Sequence, residues 1–253
     1  MVAQQVFAAF SDASVPDVDA LDGLHADVWR AHALALAPQR TVATGDALLD
    51  QHLPGGGWPV GALTELLQAP GVHNEWRLLA PALARCGMGP VVLVAPPHLP
   101  FVPALCAQGL AAQRLLWFKL PPPARSAKAG AASGASATPL WATEQALRCA
   151  PVDAVLAWLP QARTEQLRRL HLAAAEHHKL LFVMRSDQAR QDASPAVLRL
   201  QLSADADATL CVELLKRRGP PLAQSLHLAA RTSALRQLLA ASSALQQPAW
   251  ALR

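Results

Sequence analysis

Nine histidines are the first candidates for chemistry in this sequence, and His171, His177 and His178 fall in one helical-looking stretch. His171 and His178 are seven residues apart and so share a helix face, as a two-histidine metal site requires. No cysteine or carboxylate completes a ligand set around them, so core or solvated histidines are the simpler reading, with no metal and no cofactor. The four cysteines, Cys86, Cys106, Cys149 and Cys211, form no C-x-x-C pair. Each lies in or beside an apolar run, which predicts buried thiols in a reducing compartment. Nucleophilic hydrolysis lacks its starting point, since there is no G-x-S-x-G elbow. Arg168 and Arg169 read as the wet face of an amphipathic helix. Of the seven tryptophans, Trp29, Trp76 and Trp250 stand where a sheet core need not be. Exposed Trp beside Arg is typical of interaction hot spots, so these three are the partner-binding candidates.

The elements that must position these residues follow from composition and pattern. With 253 residues and 52% hydrophobic composition, the chain can build one sizeable core with short appendages. A formal charge of +4, from 22 basic and 18 acidic residues, is too mild to imply nucleic-acid binding by itself. The N-terminus lacks a basic region followed by an apolar core, and no run is long enough to span a bilayer, so a cytoplasmic protein is expected. Residues 1–23 read as a mobile arm, 24–36 as a short helix, 24–221 as one core domain and 222–253 as a helical tail with Leu226, Leu235, Leu238 and Leu239 at helical spacing. A turn at Thr44–Asp46, a helix from Asp46 and a breaker cluster at Pro54–Gly57 lead into a strand at Ala62–Leu67. A helix with Gly87 as C-cap follows, then PVVLVA at 90–95, a continuous apolar run suited to a parallel strand buried on both faces. Further elements are a helix in HLPFVPALCAQG, a strand in RLLWFKL, a helix in ATEQALRCA, a strand in VDAVLAWL, a helix capped by Thr164 and a strand in LLFVMR. Residues 121–139, rich in Pro, Ala, Gly and Ser, read as a flexible insertion loop. Period-two alternation in SPAVLRLQLSA and ATLCVELLKRRG predicts an antiparallel hairpin at a sheet edge. Strands alternating with helices imply an α/β fold of three layers with a mostly parallel sheet.

Three strings carry a more specific signal: VWRAHAL at 28–34, TGDALLD at 44–50 and LPGGGWPVGALTELL at 53–67. Together with the element order they resemble the RecA family, most closely its degenerate ImuA branch, the SulA-like accessory proteins of translesion DNA synthesis. The resemblance spans roughly residues 24–221. In RecA-like proteins a similar T-G-x-x-x-L-D stretch and a G-G-x-P-x-G turn run into the strand that precedes the nucleotide loop.

That loop is the chemical test. A working phosphate loop, G-x-x-x-x-G-K-[ST], cradles phosphates on backbone N–H groups, neutralises them with Lys and seats Mg²⁺ on a hydroxyl. Here the segment is QAPGVHNEWRLL, with Gln68, Gly71, His73, Asn74 and Glu75 in the loop, and the lysine position falls at Asn74 or one residue to either side. Glu75 would bring negative charge toward phosphate, and the blander reading of His73 and Arg77 is a capped surface loop. The strand VDAVLAW puts Trp158 where the resemblance implies a magnesium-orienting Asp, and Pro96 and Pro97 occupy the place of the catalytic carboxylate. The expectation is a chain that is not an enzyme. The two loops that would hold single-stranded DNA, about LPQAR and SDQARQDAS, are short and lack aromatic stacking platforms. Arg163, Arg185 and Arg190 in or beside them, with Lys216, Arg217 and Arg218, leave at most a weak, salt-sensitive DNA contact. The resemblance implies SOS-induced mutagenic translesion synthesis, with an ImuB-type inactive polymerase homologue and RecA as partners and an error-prone C-family polymerase as an indirect one. Two readings compete with it: a SulA-like inhibitor of cell division, and an active RecA-like ATPase with an unorthodox loop.

Overall fold

The computed structural model describes residues 40–118, 132–205 and 209–228, with only the backbone described over 132–138. All of these belong to one compact unit, Pro38–Arg253. The arm expected at 1–23, the helix at 24–36 with Trp29, and the tail beyond Leu228 with Trp250 lie outside the described residues.

The approach to the main sheet is built from local hydrogen bonds. Asp46 Oδ1 accepts the N–H groups of Leu48 and Leu49 and so starts helix α1 (Ala47–His52), while Asp50 Oδ1 reaches back to accept the Thr44 N–H at 2.7 Å. Strands β1 (Thr41–Val42) and β2 (Trp58–Pro59) pair antiparallel, Val42 opposite Trp58. A Cβ on Gly57 would lie 2.4 Å from the Val42 carbonyl oxygen, so only glycine fits where these two strands meet. Trp58 is thereby fully buried, edge-on to Phe182 with ring centroids 5.4 Å apart.

Among the described residues the main sheet has eight strands: β3 (Ala62–Gln68), β4 (Val91–Val94), β5 (Leu115–Phe118), β6 (Ala154–Trp158), β7 (Leu180–Ser186), β8 (Leu198–Ala204), β9 (Leu210–Lys216) and β10 (Leu226–Leu228). Their order is β10-β9-β8-β3-β7-β6-β4-β5. Every pairing from β5 through to β8 is parallel, and β8–β9 and β9–β10 are antiparallel. Helices α2 (Glu75–Arg85), α3 (Val102–Ala107), α4 (Ala132–Arg148) and α5 (Thr164–Glu176) complete the described set.

Alternation along the strands divides the core in two. Leu66, Leu93, Leu156 and Phe182 point to one side and pack with Leu49 of α1, Leu79 and Leu83 of α2 and Leu105 of α3. Leu63, Val92, Val155, Leu181 and Val183 point to the other and pack with Leu147 of α4 and Leu167 and Leu170 of α5. The result is a three-layer α/β fold with a mostly parallel sheet, as the pattern predicts. No helix among the described residues is long and apolar enough to cross a membrane.

Several local expectations need correction. The β8–β9 hairpin forms, yet β8 lies against central β3 and the edge position belongs to β10. Leu226 sits in that strand and not in a helix. Helix α4 begins at Ala132, inside the stretch assigned to the 121–139 loop. The cap of α5 is Arg163, whose backbone N–H donates to Gln166 Oε1 at 2.8 Å; Thr164 instead donates to the Ala193 carbonyl. Helix α5 stops at Glu176, so His177 is its C-cap and His178 takes a left-handed φ of +51°. His171, His177 and His178 therefore do not share one helix, and no metal-competent cluster occurs among the described residues. Cys106 and Cys149 are exposed because they fall on the outer side of α3 and just past the end of α4; Cys86 and Cys211 are half-buried. Burial pushes the Cys86 thiol above its ordinary pKa, against a smaller opposing pull from Arg114.

Candidate functional site

Strand β3 ends at Gln68, and the chain turns through Ala69–Asn74 before α2 begins at Glu75. The buried Gln68 side chain spans this turn. Its Oε1 accepts the backbone N–H of Asn74 at 2.7 Å, and its Nε2 donates to Glu75 Oε2 at 2.7 Å. Glu75 is 1% exposed, and its other oxygen, Oε1, accepts the indole N–H of Trp158 at 3.3 Å. His73 Nδ1 lies 3.6 Å from that same oxygen. The His73 ring meets His98 edge-on at 4.9 Å, and the Trp76 and Trp158 rings lie 6.2 Å apart.

Three segments far apart in sequence thus converge. The loop after β3 contributes Gln68, His73 and Glu75, the end of β6 contributes Trp158, and the stretch after β4 contributes His98, next to the Pro96–Pro97 pair. These are the three places singled out from the sequence, and they form one site at the carboxyl ends of β3, β4 and β6. Such ends are where open α/β sheets bind ligands.

A helix N-terminus attracts an anion through its free N–H groups and the positive end of its dipole. Here α2 carries its own anion, the Glu75 carboxylate at its first position, and the Asn74 N–H is already given to Gln68. Gln68 and Trp158 thus engage the Asn74 N–H and the Glu75 carboxylate, while the buried Asn74 Nδ2 has no hydrogen-bond partner among the described residues. Trp76, expected on a surface, is half-buried against Trp158 and the core.

On the opposite face of the sheet, strand β3 carries a buried ion cluster that the sequence analysis does not identify. Glu65, in the middle of β3 and fully buried, accepts from Arg199 Nε at 2.6 Å and from Arg185 Nη1 at 3.2 Å. Arg185 also donates to Asp192 at 2.9 Å, and Arg199 donates to the carbonyls of Ala189, Arg190 and Asp192. A carboxylate in the apolar string ALTELLQ was the available signal, since a charge inside a central strand requires a buried partner.

Of the residues proposed for DNA contact, Arg163 and Arg185 line one cleft and the others lie elsewhere. Arg185 is buried and held by Glu65 and Asp192. Arg190 forms a two-pronged pair with Glu213, and their mutual hydrogen bonds hold the Glu213 carboxyl below and the Arg190 guanidinium above their ordinary pKa values. Lys216 donates to the Ser194 carbonyl, and Arg217 to the carbonyls of Pro220 and His52. Arg163 is exposed on the rim of a cleft of about 430 Å³, which Thr164, Arg185, Gln188 and Asp192 also line. Arg218, also exposed, lies at the far end of the sheet beside Pro54 and Leu198. Compared with known proteins, the chain matches no family model and no curated protein sequence.

Proposed function

We propose that this chain is a RecA-like protein without nucleotide chemistry, an accessory protein of SOS-induced mutagenic translesion synthesis that acts by binding protein partners. The Glu75 network carries the reading: Gln68 and Trp158 bind Glu75 at the helix end where a RecA-like ATPase would hold phosphate. Supporting it, the candidate nucleotide strand β3 lies inside the parallel part of the sheet and leads through a loop into α2. The strings TGDALLD and GGGWPVG also have definite work, since they build α1, its Asp46 cap and the β1–β2 pair that delivers the chain to β3. The resemblance supplies the partners: an ImuB-type inactive polymerase homologue, RecA, and through them an error-prone C-family polymerase.

Isothermal titration with ATP and Mg²⁺ tests the chemical half. No binding heat and no phosphate release are expected, with or without single-stranded DNA; micromolar binding with turnover overturns the reading in favour of an active ATPase. A pull-down with purified candidates tests the biological half. Retention of the ImuB-type protein or RecA is expected, whereas retention of the tubulin-like septum protein alone transfers the role to inhibition of cell division.

A further inference from the structure

Helices α4 and α5 cover one face of the sheet, and between them runs a cleft of about 280 Å³ lined by Leu140, Trp141, Glu144, Gln166, Arg169 and Leu170. Trp141, Glu144 and Arg148 recur at intervals of three and four residues and so share one side of α4. Trp141 is 57% exposed and lines the cleft beside Arg169. Glu144 accepts from Arg148 Nη2 at 2.8 Å and from Arg169 Nη2 at 2.7 Å. The Glu144 side chain is 16% exposed, those of Arg148 and Arg169 53% and 72%. One anion therefore answers two cations, and both guanidiniums face solvent with donors to spare.

We propose that this cleft docks an acidic peptide segment of a partner protein, which lays an apolar side chain against Trp141 and sets a carboxylate on Arg169. The charge count selects an acidic occupant, and the Trp–Arg pairing is the composition of binding hot spots. The cleft has the size of one or two anchoring side chains, below that of most small-molecule pockets. Nucleic acid fits worse. The Glu144 carboxylate in the cleft opposes a phosphate backbone, and a lone exposed tryptophan gives one stacking surface where a single strand needs a row of them. The surface lies on the opposite side of the sheet from α2, and its occupancy is independent of whether the Glu75 site binds nucleotide.

The test is selection of a random phage-displayed peptide library on the immobilised full chain, followed by fluorescence anisotropy of the enriched peptides as synthetic ligands. Enriched sequences are expected to be net acidic with a Leu, Phe or Trp anchor, and to bind more weakly as salt rises. Their affinity should fall at least tenfold on Trp141→Ala and on Arg169→Glu, with Arg169→Gln intermediate. Exchanging the peptide's key acidic residue for Lys should restore binding to Arg169→Glu. Circular dichroism identifies any variant that fails to fold, and the exposed Trp141→Ala is the arm least exposed to that failure. The proposal is overturned if no peptide enriches, if enriched peptides bind both variants as tightly as the parent, or if a single-stranded oligonucleotide and no peptide protects this face. None of these outcomes alters the nucleotide titration, so the two readings fail separately.

Discussion

His171 shows how one side chain ties acid sensitivity to the fold. Its Nδ1 accepts the backbone N–H of Leu63 at 3.1 Å, which requires the neutral ring. Burial, and to a lesser degree the Lys216 charge, hold its pKa below the ordinary histidine value. The unfolded chain therefore binds the proton more readily than the folded one. Stability from this group is complete above the unfolded pKa, about 6.5, and is lost as pH falls from there through the folded value. Urea unfolding at a series of pH values should show this decline. His171→Gln, which keeps an acceptor but does not titrate, should show a shallower decline between pH 7 and 5. The sequence drew attention to His171 as a possible ligand; its partner lies 108 residues away, a separation that no local pattern reveals.

At the scale of elements, three strands are locked by one buried charge. Glu65 on β3 faces Arg199 across the β3–β8 pairing, and Arg185 reaches it from β7. Glu65→Gln leaves the buried Arg199 guanidinium without its counter-ion and Arg185 with Asp192 alone, and should cost about 3–5 kcal/mol in denaturant unfolding. Replacing all three members with apolar residues of similar volume should recover most of that loss, because the cluster's net worth is small beside the penalty of breaking it. Regular elements were largely legible: Asp46 as a cap, Gly87 just past α2 and the VVLV run of β4 each follow from a local rule. The errors cluster where tertiary context decides. The tail's leucine spacing allowed either period, and pairing with β9 made Leu226 a strand residue. Alternation showed that β8 and β9 pair, but not which strand lies on their far side.

For the whole molecule, the two ends of the sheet differ. Among the described residues one ends in β10 and the other in β5, whose Leu116, Trp117 and Phe118 are 49%, 38% and 44% exposed. An apolar edge strand without Lys or Pro is a template for unwanted pairing. Leu116→Lys should raise the temperature at which a concentrated sample begins to scatter light, with little change in the unfolding midpoint. The candidate site was legible in its parts, since Glu75, Trp158 and the Pro96–Pro97 stretch were each singled out. Their meeting, and the Gln68 strap that joins them, belong to the fold alone.

The strap has a consequence for competition with solutes. Glu75 is tethered to the very helix end it serves, so it contends with any dissolved anion as an intramolecular ligand, at an effective concentration of millimolar or more. An inorganic phosphate or a carboxylate metabolite approaching this helix end meets the Glu75 carboxylate held by the Gln68 amide and the Trp158 indole, a like charge that opposes it.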